Sequence, residues 1–285
     1  MFPTAEQIRT AAYLRWERRG LLHGRDVDDW AAAEQDLLFS LNYELIAHHK
    51  LDAGEPAFVG RRSPRVCRFC EGSPPRSPFA DAVRPIPQAL GNQSLLALDE
   101  CDECHVRFTE LIVTDFERFI LPYLAGKAAP GRGASPPIPV SAYKGLIQMA
   151  LAILPPGELE YVPDAIEWVG NDDHDADLGA FAGLGLGCYV HSAGPYRAPF
   201  AAIARRTADD APMPYLLFFL GTSGMVFQAP IPLCIRDEDL EAGAMIVPRV
   251  AIPSNGPPYA PIEYPTCSFL PLAAREAQRP ARSRP

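Results

Sequence analysis

Two Cys-x-x-Cys pairs, Cys67-Arg-Phe-Cys70 and Cys101-Asp-Glu-Cys104, separated by thirty residues, constrain this chain more than any other feature. A two-residue gap turns both thiolates of a pair toward one point, and two such pairs supply the tetrahedral sulfur set of structural Zn²⁺, with Zn–S near 2.3 Å. The competing reading is two coincidental pairs of free thiols. The segment is rich in loops and poor in apolar residues, so a metal would supply order that it lacks; structural zinc contributes roughly 10–16 kcal/mol at neutral pH. The other three of the seven cysteines, Cys188, Cys234 and Cys267, have no such spacing. This fits a reducing compartment better than a disulfide framework, and a cytoplasmic location is expected.

A net charge of −9 over 285 residues argues against wholesale non-specific binding of nucleic acid. The charge is uneven, however. Arg61, Arg62, Arg65, Arg68, Arg76 and Arg84 stand against only Glu71 and Asp81, so the cysteine module is the cationic part of an acidic chain. No basic-then-apolar leader opens the sequence, and no uncharged run approaches the roughly 20 residues of a membrane helix, so no membrane partner is expected.

The pattern predicts an α+β protein in several parts. Thr4 and Gln7 make a capping box before a helix with Ile8, Ala12 and Trp16 on one face. A second helix follows Asp26 or Asp28, with an apolar stripe from Trp30 through Ala33, Leu37 and Leu41 toward Leu45. Residues 4–50 therefore read as a helical hairpin, with His48-His49 at its cationic C-terminal end. A Gly/Pro/Arg-rich connector from Leu51 to Pro64 leads into a zinc module over 61–124, whose second cysteine pair starts a helix. A 125–140 linker precedes a 141–272 α+β domain. In that domain Ser141 caps a helix ending at Leu154, and strands follow over 181–190, 201–205, 215–220 and 225–228. Residues 273–285 read as a disordered tail.

Two resemblances add to this reading. Residues 4–38, with Ile8-Arg-Thr-Ala-Ala-Tyr-Leu-Arg-Trp-Glu17 and Gly24-Arg-Asp-Val-Asp-Asp-Trp30, resemble a small bacterial domain of unknown function. Residues 67–120, with the four cysteines, Ile86-Pro87 and Leu90-Gly91-Asn92, resemble the zinc-braced branch of the HNH endonuclease superfamily. That likeness implies a β-hairpin and a helix around one catalytic Mg²⁺ or Mn²⁺, braced by a separate zinc. It implies a hairpin histidine as general base, a middle asparagine that orients it, and a metal ligand directly after the last cysteine.

Only the last role is kept here, by His105. Arg84 stands at the base position and Val83 before it, and arginine stays protonated and cannot take a proton from water. Leu96 and Ala97 stand near the middle asparagine position and can orient nothing. Losing a general base commonly costs about 10²–10⁴ in rate. The expectation is a catalytically degenerate HNH-like protein that binds DNA, through phosphate contacts at Arg84, Arg68 and Arg65, or a protein partner through the N-terminal helices. The alternatives are a divergent metal-dependent endonuclease using His105 with an unidentified base, and a purely structural zinc scaffold. Asp99, Glu100, Asp102 and Glu103 are expected to favour the dipole of the following helix. Asn171–Asp177 reads as a solvated acidic turn, and Gly183-Leu-Gly-Leu-Gly187 as close strand packing rather than a nucleotide loop.

Overall fold

The computed structural model describes residues 1–79, 82–125, 137–174, 185–190, 198–208, 211–222, 225–240, 245–249 and 266–273. Helices and strands mix in one α+β architecture. Helix α1 (Ala5–Arg18) starts at the expected capping box: Thr4 accepts from Gln7 N, and the Gln7 side chain accepts from Thr4 N. Helix α2 (Asp26–Asn42) packs against it, tied by the part-buried ion pairs Arg15–Asp36 and Arg19–Asp29.

The helical hairpin ends eight residues before its expected limit. Tyr43–Lys50 is strand β1, paired antiparallel with β6 (Phe200–Arg206), from Tyr43 opposite Arg206 to Lys50 opposite Phe200. The change follows from the residues. After Asn42 the helical apolar stripe gives way to Tyr43-Glu-Leu-Ile-Ala, whose β-branched and aromatic content suits a pleated surface once a partner strand is offered. His48 and His49 accordingly lie on this strand, with the His48 ring 6.0 Å from that of Phe200, rather than at a helix end.

The main sheet runs β1-β6-β7-β8-β5-β9-β4, with β7 at Leu216–Thr222, β8 at Met225–Pro230, β5 at Gly185–Val190, β9 at Thr266–Ala273 and β4 at Ile138–Pro139. All neighbours are antiparallel except β9 and β4. Both faces are covered. Leu38 of α2, with Tyr43, packs on Ala202, Leu217, Phe219 and Val226. The other face meets helices α4 (Thr114–Leu124) and α5 (Val140–Ile153), through contacts such as Phe116 edge-on to Phe227. Every residue of α5 except Ser141 is buried, because sheet, α4 and cysteine module surround it. Pro139, not Ser141, is its N-cap. Short helix α6 (Pro163–Gly170), without a counterpart in the sequence reading, packs against α5.

A second, two-stranded sheet pairs β2 (Ala57–Val59) with β3 (Leu95–Ala97) in parallel, so part of the expected connector is a strand. Among the described residues no helix is long and apolar enough to cross a membrane. Residues 126–136 of the expected linker, 181–184 of the first expected strand, 175–177 of the acidic turn and the tail from 274 lie outside the described residues.

Candidate metal centre and the neighbouring cleft

The four predicted cysteines meet. The sulfurs of Cys67, Cys70, Cys101 and Cys104 all lie within 4.8 Å of one another, and Cys70 Sγ stands 3.7 Å from Cys101 Sγ. A tetrahedral ion with sulfur ligands at about 2.3 Å sets its sulfurs about 3.8 Å apart, so the cluster has the size of such a site. Short loops shape both halves. Cys67 N donates to Gly72 O and Glu71 N to Cys67 O, with Glu71 in the left-handed region at φ 57°. Cys101 is the N-cap of α3 (Asp102–Phe108) and its N–H donates to Cys67 Sγ at 3.4 Å. The Cys67 thiol is pushed down to about 4, chiefly by the hydrogen bond with Cys104 and further by backbone N–H groups. That same bond drives Cys104 up. Burial pushes Cys101 up to about 11. A cluster that already favours one thiolate, lined by Phe79 and Phe69, can hold a metal ion.

The residues beside the cysteines join the cluster to the rest of the protein. Arg68, expected on the surface as a phosphate contact, is buried. Its Nε and Nη2 donate to the two Asp99 oxygens at 3.1 and 2.8 Å, and Nη1 donates to Leu151 O and Leu154 O at the end of α5. Carbonyls in the last turn of a helix lack their usual i+4 N–H partners; Leu151 O keeps only a 3.3 Å bond from Leu154 N, and this guanidinium adds a donor to it and to Leu154 O. Arg68 is therefore a tie between metal loop and α5 and is closed to phosphate. Arg65 is half-buried; it donates to Phe79 O at 2.7 Å and lies over the Phe79 ring. Arg61, Arg62, Arg76 and Arg84 remain exposed.

The acidic group divides in the same way. Asp102 and Glu103 occupy the first turn of α3, as the dipole argument expects. Asp99 and Glu100 instead point inward. Glu100 is 1 % exposed, burial raises its pKa, and its Oε1 lies 3.3 Å from His105 Nδ1. The charge pattern of the sequence gives no sign of this pairing.

His105 and Arg84 line one cleft of about 380 Å³, together with Val83, Pro87, Phe108, Glu117 and Gln148. Strand β3 pairs in parallel with β2, and among the described residues the β-hairpin that the resemblance implies is reduced to one antiparallel bridge, in which Val83 and Ala97 exchange both backbone hydrogen bonds. Asn92 holds its turn, donating to Ile86 O and Leu95 O and accepting from Leu95 N. The helical wall runs from α3 through a π-helical turn (Thr109–Val113) into α4. Such turns are rare and accompany local demands on a helix. Here Gly145 of α5 lies against the turn; a Cβ at that position would fall 2.5 Å from Ile112 O, so no larger residue fits. Glu117 and Gln148 escape the sequence reading, since each sits on an ordinary amphipathic or apolar helix.

The family model described as a protein of unknown function (DUF2934) matches residues 3–38, the α1–α2 segment, as the resemblance of that segment anticipates. Comparison with curated proteins and with solved structures returns no match.

Proposed function

We propose that the four cysteines hold a structural zinc ion and that the hairpin and helix braced by it are a nuclease-like frame that binds without cutting. When bound, the ion fixes both loops through Cys67, Cys70, Cys101 and Cys104, and Arg68 passes that rigidity to α5. The cleft carries the reading. Among the described lining residues, the side chains able to take a proton from water are His105 and Glu117. They stand on different helical segments, α3 and α4, and His105 Nδ1 is already engaged by the buried Glu100 carboxyl group at 3.3 Å. Arg84, at the hairpin position where the HNH resemblance puts the base, is a fixed cation.

A protein partner is the favoured target. Tyr13, Leu14, Leu21, Leu22, Val27 and Trp30 of the N-terminal hairpin are all exposed, Val27 at 81 %. Apolar surface of this extent on a helical pair is what a docking partner would cover. Nucleic-acid binding is the second reading, supported by exposed Arg61, Arg62, Arg76 and Arg84 on the cysteine module, although the loss of Arg68 to the interior thins that patch.

Supercoiled plasmid incubated with Mg²⁺ or Mn²⁺ should stay intact, and cutting abolished by His105→Ala would restore the endonuclease alternative. Elemental analysis should find one zinc per chain, and Cys101→Ser should lose it together with thermal stability; a folded, metal-free protein would end the zinc assignment. A duplex-DNA mobility shift that weakens with salt and with Arg84→Ala would favour the second reading.

A further inference from the structure

The cleft holds polar side chains for which the fold itself has no use. Gln148, in the middle of α5, is 3 % exposed and lines the cleft, yet its carboxamide has no hydrogen-bond partner among the described residues. Its polar atoms are not sealed in the core and face the cleft, so a ligand there would meet a carboxamide free to donate and accept. Arg84 stands exposed at the rim without an ion-pair partner among the described residues. Glu117, half-buried, likewise has none, and desolvation raises its pKa. Pro85, Pro87 and Phe108 supply apolar walls.

This set discriminates among ligands. An apolar molecule would strand Gln148. A phosphate dianion would meet one permanent cation, Arg84, with the Glu117 carboxyl lining the same space. A carboxylate needs one guanidinium fork, and a peptide amide needs a partner that both donates and accepts, as a carboxamide does. A volume near 380 Å³ lies at the small end of ligand pockets and suits a short segment.

We propose that this cleft binds the carboxyl-terminal end of a peptide, with its carboxylate on Arg84 and its last peptide amide on Gln148. The proposal rests on the cleft binding rather than cutting, and it names what that site recognises. Glycylglycine, N-acetyl-glycylglycine, glycylglycinamide and inorganic phosphate, each titrated into the full-length protein by NMR, test it.

The two carboxylate peptides should bind saturably in the millimolar range, and the carboxyl-terminal amide at least tenfold more weakly. Equal binding of the acetylated and free forms assigns the end of a longer chain; binding of the free form alone assigns a free dipeptide whose amino group reaches Glu117. Arg84→Ala, at an exposed position that leaves folding intact, should weaken either by tenfold or more, as should Gln148→Met. No saturable binding of either peptide, binding indifferent to Arg84→Ala, or tighter binding of phosphate through Arg84 would overturn the proposal. Plasmid cutting would instead overturn the non-cutting reading, so the two failures are distinct.

Discussion

Replacing Arg68 with methionine tests the tie between the metal loop and α5. The substitution keeps most of the side-chain volume but leaves the Asp99 carboxylate buried without its bidentate partner and withdraws the donor to Leu151 O and Leu154 O. Breaking a buried ion pair by deleting one partner typically costs about 3–5 kcal/mol, so about 4 kcal/mol is expected. For a chain of this size each kcal/mol moves the melting temperature by about 2–4 °C, giving a fall of about 8–16 °C. Urea unfolding followed by circular dichroism measures the loss. Arg68→Met/Asp99→Asn should recover about half, because the unpaired charge is gone and asparagine fits the same space beneath Gly60. Any metal held by the four cysteines should be retained in both variants, since those ligands are untouched. A surface arginine would cost less than about 0.5 kcal/mol. A loss under about 1 kcal/mol, or a double variant less stable than the single one, would refute the buried-tie account.

Gly60→Ala should cost more than about 2 kcal/mol in the same assay, because φ is 83° and the new Cβ would fall 2.0 Å from Asp99 Oδ1, whereas Gly157→Ala, with open space around it, should be near neutral. Asp237 gives a pH signature. Burial raises its carboxyl to about 6 despite hydrogen bonds from Tyr215 N and Arg206, so the folded chain holds a proton between about pH 4 and 6 that the unfolded chain releases. Stability from this group should therefore fall as pH rises through that window, and Asp237→Asn should flatten the slope in pH-dependent urea unfolding.

Local chemistry makes some of this structure legible in advance. The Thr4–Gln7 box, the two cysteine pairs and the strands at 200–206, 216–222 and 225–230 follow from spacings of a few residues, which a sequence displays directly, whereas β9 at Thr266–Ala273 has no counterpart in the sequence reading. Tyr43–Lys50 reads as helix on its own because its strand character depends on a partner at 200–206. Arg68 reads as surface because its neighbours in sequence are loop residues, while the groups that bury it, Asp99 and the end of α5, come from elsewhere in the chain. Gln148 and Glu117 carry no signal, since a polar residue on a helix announces neither its burial nor the cavity it faces. The π-helical turn is equally hidden; it answers to the close approach of Gly145, a tertiary fact.

Strand β1 also bears on how this protein can be made and divided. Its partner residues are synthesised some 160 residues after it, roughly ten to thirty seconds later at the usual pace of translation. Until then the α1–α2 pair leaves the ribosome with a dangling strand, and a shortened chain that begins after residue 50 would leave the edge of β6 bare. Bare edges recruit other chains. Expression of the carboxyl-terminal part alone should therefore yield aggregates, and a boundary placed before Tyr43 is the one the sheet tolerates.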